Sequence, residues 1–221
     1  MVGRSVLVTG GARRIGQTIC ATLQARGWNV LVHTRDAANP LGVDLAADGA
    51  AERLFAAAVS AAPDLCAIVN NAAAFATARE LSADAAARLL RVNAEVPCAL
   101  AELLARHLAG TGRYGSVVNL LDTRVLGGRA AVTPYEVSKR TLLDATREQA
   151  RRLAPGVRVN GVAPGPVLAP EGAANREKGG EILLARRPTS ADVAAAVAYF
   201  LEAESVTGQV LAVDAGQSLM R

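Results

Sequence analysis

The chain has 221 residues, 51% of them hydrophobic, with 24 Lys and Arg against 20 Asp and Glu. That length suits one domain with a full core, and so apolar a composition excludes intrinsic disorder. The net charge of +4 is mild and scattered, and 3% aromatics leave little for nucleobases to stack on, which argues against a nucleic-acid binder.

Apolar runs reach about five to eight residues before a charge or glycine interrupts them, too short to span a bilayer. The opening "MVGRSVLVTG" has no signal-peptide core or cleavage site, so a cytoplasmic protein is expected. Cys20, Cys66 and Cys98 are an odd number of apolar-flanked thiols, as expected of buried cysteines in a reducing compartment. His33 and His107 lie in different regions, and no metal cluster or Ser-His-Asp set is visible, so no metal is expected.

In chain order, strands are predicted at 5–10, 29–34, 65–72, 116–121, 157–165 and 209–216, with a shorter one at "LGVDL", 41–45. Helices are predicted near 14–26, 49–62, 82–108, 133–153 and 190–203. Strands that are apolar on both faces and alternate with helices predict a Rossmann-type, doubly wound α/β fold. Its sheet should be mostly parallel and seven-stranded, within a single domain over 1–221. Only "DAANP" separates the second strand from the 41–45 segment, so the helix between them should be missing or reduced to a turn. The stretch 166–188, rich in Gly, Pro and charge, is expected to form a compact substrate loop.

"VTGGARRIG" ends the first strand and opens the first helix. Gly10 permits the tight turn, Gly16 lets helix approach strand, and the helix start offers N–H groups to a pyrophosphate. The second strand ends "HTRDA". Where an acidic residue would grip the ribose hydroxyls of NAD there is Thr34, followed by Arg35, which with Arg13 could clamp a 2′-phosphate. NADPH is therefore favoured, while Asp36, which would repel a phosphate if it pointed inward, keeps NADH open. Asp44 is positioned either to bond an adenine or to cap the next helix.

"YEVSK" places Tyr135 and Lys139 one helical turn apart on one face. A phenol is a weak acid at neutral pH, and a neighbouring ammonium favours its ionised form, so this pair suits proton transfer beside a hydride transfer. Asp122 stands thirteen residues before Tyr135.

Taken together, "TGGARRIG", "NNAA" (70–73), "VNAEVP" (92–97), "YEVSK", "APGPV" (163–167) and "VTGQVLAVDAG" (206–216) resemble the short-chain dehydrogenase/reductase family along essentially the whole chain. The resemblance implies Tyr135 as proton donor, Lys139 lowering its pKa and holding the nicotinamide ribose, and Asn93 completing a proton relay through water. It places Asn70 and Ala72 along the cofactor, with Gly10, Arg13, Arg14, Ile15, Gly16, Leu45, Pro164, Gly165 and Val167 also in contact. The general family has serine where this chain has Asp122. A serine donates to a ketone oxygen, whereas a carboxylate repels a developing oxyanion and suits a nitrogen heterocycle whose N–H and amino groups are donors.

Asp122, Arg14, Phe75 just after the fourth predicted strand (65–72) and the terminal Arg221 resemble the pteridine reductase branch. That likeness implies Arg14 at the pterin and the cofactor phosphates, and Phe75 sandwiching the pterin against the nicotinamide. Asp122 and Tyr135 would act together at a ring nitrogen. Ala73, Ala74 and Asp36 depart from it, each standing where serine is usual. Arg221 either reaches a neighbouring subunit's site or ends a frayed tail. The expected activity is NADPH-dependent reduction of dihydrobiopterin, dihydromonapterin or dihydrofolate. The alternatives are a ketone or 3-oxoacyl reductase of the same family and a non-catalytic dinucleotide sensor. The resemblance also implies a homotetramer built partly from the helix of Tyr135, a helix expected to be strongly apolar.

Overall fold

Ser5–Val8 are buried on both faces and form the first strand, β1, an interior strand of the sheet. The computed structural model describes residues 4–76, 82–127, 133–167 and 181–220. Around β1 lie β2 (Asn29–Val32), β3 (Leu65–Asn70), β4 (Gly115–Leu120), β5 (Val157–Pro164) and β6 (Val210–Val213). All pairings are parallel, in the order β2-β1-β3-β4-β5-β6. The helices are α1 (Arg14–Ala25), α2 (Ala50–Ala61), α3 (Ala83–Leu90), α4 (Val96–Leu108), α5 (Pro134–Arg152) and α6 (Ser190–Glu202).

Alternation along the strands feeds two cores. Val6 and Val8 face Ile19 and Leu23 of α1 and Val193, Val197 and Phe200 of α6. Leu7 and Ile68 face Leu54 and Phe55 of α2 and Leu100 and Leu104 of α4. A parallel sheet covered on both sides is the doubly wound architecture expected from sequence. The chain leaves β1 toward β2 on one side and toward β3 on the other, which opens a crevice at the carboxyl ends of β1 and β3.

The sheet has six strands rather than the expected seven. Residues 41–45 make a single parallel bridge, Thr34 to Gly42, and no strand. A parallel crossover needs about a dozen residues, and the eight residues 33–40 fall short of that, so pairing stops at this one bridge beyond the end of β2. The apolar residues that suggested a strand have another use: Leu41 and Leu45 are buried in the α2 side of the core. Asp36 Oδ1 accepts from Ala38 N (3.0 Å) and Asn39 Oδ1 from Leu41 N (2.8 Å), and these two side-chain turns curl the connector back.

The helix expected over 82–108 is interrupted by a π-helical turn at Arg91–Glu95, between α3 and α4. Pro97 lacks the N–H that the Asn93 carbonyl would accept in an α-helix, and such wide turns recur at functional sites. The α5 helix starts where its sequence demands, with Pro134 at the first turn and a reciprocal Thr133–Glu136 capping box. It is not strongly apolar. Leu142, Leu143, Thr146 and Ala150 are buried, but Thr141, Asp144, Glu148, Arg151 and Arg152 are exposed. Among the described residues no helix is long and apolar enough to cross a membrane, and no cluster of His, Cys, Asp or Glu could hold a metal. The expected substrate loop lies largely outside the described residues, as does Arg221.

Candidate active site

The carboxyl ends of β1 and β3 are tied into one unit. Thr9 Oγ1 accepts from Asn71 N and Ala72 N (both 3.0 Å), and Asn71 Nδ2 donates to Thr9 O (2.9 Å) and Gly10 O (3.0 Å). Gly10 sits at φ 62°, and a Cβ on Gly16 would lie 2.3 Å from Gly10 O and 2.6 Å from Asn71 Nδ2. Only glycine permits this approach, so α1 begins directly against the turn. Arg14 adopts φ 54°, a left-handed conformation that costs a side-chain-bearing residue on the order of 1–3 kcal/mol and typically marks functional loops.

Arg13 caps α1 without a hydrogen bond from its own side chain to the first amides. Donors and dipole at this helix start fit an anionic pyrophosphate, and Arg13, Arg14 and Arg35 are exposed around it. Ile15 is half-buried against the α1 side of the core. Thr34 Oγ1 accepts from Asp36 N (3.1 Å), and Asp36 turns its carboxylate onto Ala38 N. The residues at the tip of β2 thus fit a 2′-phosphate, with Asp36 held in its own turn.

Asp44 does not cap α2, whose N-cap is Gly49; its carboxylate closes a local turn instead. Its Oδ1 accepts from Ala46 N (3.0 Å) and its carboxylate pairs with Arg88 (3.3 Å), two contacts that hold its pKa below the ordinary value, the backbone bond foremost. Leu45 is buried in the core, leaving only its main chain for a ligand. Asn70 is likewise buried, its amide donating to Asn119 Oδ1 (2.8 Å) inside the sheet, so Asn71 rather than Asn70 reaches the glycine turn. Pro164 ends β5, Gly165 N bonds Val213 O (2.9 Å), and a Cβ there would meet the Asp214 Cβ at 2.7 Å. Val167 packs on the α1–α6 core.

At the carboxyl end of β4 the structure joins Asp122, Tyr135 and Phe75. The Tyr135 hydroxyl donates to Asp122 Oδ2 at 3.2 Å, and the Phe75 ring meets the Tyr135 ring edge-on, centroids 5.2 Å apart. Phe75 is 65% exposed, so it is free to serve as a stacking face rather than as core. Arg124, which sequence reasoning passed over, donates Nε and Nη2 to the Asp122 carboxylate at 3.2 and 3.0 Å and lies 4.9 Å from the Tyr135 ring centre. The only sequence sign of it is the spacing in "DTR".

Asn93 is fully buried in the π-turn. Its Oδ1 accepts from Ala74 N (2.7 Å), and its Nδ2 donates to Ala74 O (3.0 Å) and to Ser138 Oγ (3.0 Å). Ser138 in turn donates to Tyr135 O (2.7 Å), so Asn93 links the segment before Phe75 to the Tyr135 turn. Ala73 is exposed and Ala74 half-buried, and neither brings a hydroxyl.

Lys139 is buried, with Nζ donating to Leu120 O at 2.7 Å. Burial lowers its pKa to about 8, against the opposing pull of Asp122. The expected depression of the Tyr135 pKa is overturned: burial, then the Asp122 charge, push the phenol well above its ordinary value, with Arg124 opposing. The reason is geometric, since the Lys139 ammonium is turned onto a backbone carbonyl while the phenol faces a carboxylate. Tyr135 is thus a protonated phenol at neutral pH, aimed at an acceptor.

Residues 10–218 match the family model described as enoyl-(acyl carrier protein) reductase. The chain is 31% identical to a dihydromonapterin reductase of Citrobacter koseri, over 97% of this chain and 96% of that one. It is 29% identical to pteridine reductase 1 of Leishmania tarentolae, over 97% and 96%. The crystal structure of FolM alternative dihydrofolate reductase 1 from Brucella canis, complexed with NADP, superposes with a TM-score of 0.85 at 32% identity, covering 99% of this chain and 95% of that one. The chain belongs to the short-chain dehydrogenase/reductase family, in its pteridine reductase-like branch.

Proposed function

We propose that the protein reduces a pterin with NADPH, and that Asp122 and Tyr135 deliver the proton. The single observation that carries the reading is the Tyr135–Asp122 hydrogen bond, a phenol and a carboxylate where ketone reductases of this family pair a phenol with a serine. The relatives support the substrate class by their names, a dihydromonapterin reductase and a pteridine reductase, and the NADP complex of the structural relative supports the cofactor.

NADPH, when bound, supplies a hydride to a ring carbon of the pterin C=N bond, and a proton completes the reduction at the ring nitrogen. Tyr135 holds that proton, because burial and the Asp122 charge keep its phenol neutral. Asp122 accepts N–H groups of the heterocycle and holds the phenol at its edge. Phe75 offers a face to the flat ring, and Lys139 contributes a buried charge beneath the ribose position. Gly10, Gly16 and the α1 start receive the pyrophosphate, with Arg13 and Arg35 at the 2′-phosphate and Arg14 toward pterin and phosphates. Ala72, Ile15, Pro164, Gly165 and Val167 line the groove.

A homotetramer built partly from α5 belongs to this reading, supported by family likeness, and sedimentation of the purified protein tests it. A cytoplasmic setting also belongs to it, supported by three free thiols, Cys20, Cys66 and Cys98. The function itself is tested by following NADPH oxidation with dihydrobiopterin, dihydromonapterin, dihydrofolate and a panel of simple ketones. Saturable turnover of a pterin is expected, and turnover of ketones alone would overturn the reading.

A further inference from the structure

His33, at the end of β2, is 1% exposed and takes no part in the chemistry above. Its ring nonetheless touches the cofactor loop. Nδ1 lies 3.1 Å from Gly10 N, and Nε2 lies 2.9 Å from Val43 O. A backbone N–H can only donate, so Nδ1 accepts, and Nε2 therefore carries the proton and donates to Val43 O. The His33 main chain adds a third tie, its carbonyl accepting from Gly11 N at 3.1 Å. One residue thus fastens two consecutive amides of the glycine turn to the connector that carries Thr34, Arg35 and Asp44.

We propose that His33 is a positioning residue for dinucleotide binding, its neutral ring fixing the glycine turn at Gly10 relative to the 2′-phosphate side of the site. The alternative is a core histidine whose polar atoms merely happen to be satisfied. Two features favour positioning. The Gly10 amide lies in the turn at φ 62° that brings α1 against the strand, so its direction sets where the helix donors point. The ring also spans two segments that must hold opposite ends of one ligand's phosphates, while the β2–β1 ladder already holds the strands themselves. Burial pushes the imidazole below its ordinary pKa, with the Val43 contact opposing, which keeps Nδ1 an acceptor at neutral pH.

The proposal rests on reading this loop as a dinucleotide site, and the experiment separates the two. NADPH binding is measured by calorimetric titration of the full chain and three variants, with thermal melts in parallel. His33→Asn keeps a carbonyl near the Nδ1 position and loses the Val43 bond. His33→Gln reaches the Nε2 position and leaves Gly10 N unpaired. His33→Leu removes both. A lost bond to a buried amide predicts an NADPH Kd about tenfold weaker for Leu and Gln. His33→Asn should stay within about threefold of the parent. The NADPH KM should rise far more than kcat falls. Equal NADPH affinity in parent and Gln variant, or an Asn variant no better than Gln despite an equal melting temperature, overturns the positioning role. If the Leu variant does not fold, the Asn–Gln pair alone decides. A parent chain that binds no NADPH overturns the dinucleotide reading and this proposal with it.

Discussion

The hydroxyl of Tyr135 donates to Oδ2 of Asp122 at 3.2 Å, so the phenol meets a carboxylate while the Lys139 ammonium is turned onto Leu120 O. The phenol is pushed up by burial and by the carboxylate, so it is a held proton rather than a half-ionised base. Tyr135→Phe keeps the ring against Phe75 and removes only that proton. Pterin turnover should fall by roughly 10²–10⁴-fold, the usual worth of general acid catalysis, with the NADPH Kd changing less than about twofold. Stopped-flow turnover and a binding titration on the same preparation check this.

Lys139 sets a second expectation, in pH. Its buried ammonium has a pKa lowered to about 8, so the charge is present below that pH and lost above it. The kcat/KM profile should therefore fall on the alkaline side of about pH 8. Tyr135 cannot be the source of that limb, because its shift runs the other way. Lys139→Arg, which stays charged, should remove the limb even if it lowers the maximum. A profile flat to pH 10 in the parent would contradict the assignment.

Arg124 forks the Asp122 carboxylate and covers the Tyr135 ring, yet its side chain is 41% exposed, so solvent weakens the pair. Arg124→Met should reduce pterin kcat/KM by about fivefold, corresponding to roughly 1 kcal/mol, and Arg124→Lys should recover part of it. Steady-state kinetics of the two variants side by side measures both.

Gly16→Ala places a methyl 2.3 Å from the Gly10 carbonyl, a backbone atom that cannot swing away. The start of α1 must move, so NADPH binding should weaken by at least about tenfold and the melting temperature drop by several degrees. A binding titration and a melt suffice.

Much of this was legible in the sequence. β-branched runs alternating with alanine-rich stretches place the strands, and the capping box at Thr133–Glu136 fixes the start of α5. The glycine loop and the Asp122, Tyr135, Lys139 spacing pointed to the candidate site, and the structure brings Phe75 against Tyr135. What failed has physical causes. Residues 41–45 are apolar like a short strand because Leu41 and Leu45 anchor the core, a burial that needs no sheet. The direction of the Tyr135 shift depends on burial and on where the Lys139 ammonium turns, neither of which spacing records. His33 looked like an isolated histidine because its partners are backbone atoms from two other segments.

The central claim, that Asp122 marks a pterin site, is tested most directly by the ratio of pterin to ketone turnover in the parent and in Asp122→Ser. The account predicts that the parent turns over a dihydropterin and no simple ketone. The serine variant should then lose pterin turnover by at least about tenfold without an equal loss on any ketone the parent accepts. Equal losses on both, or a pterin rate untouched by the substitution, would contradict it.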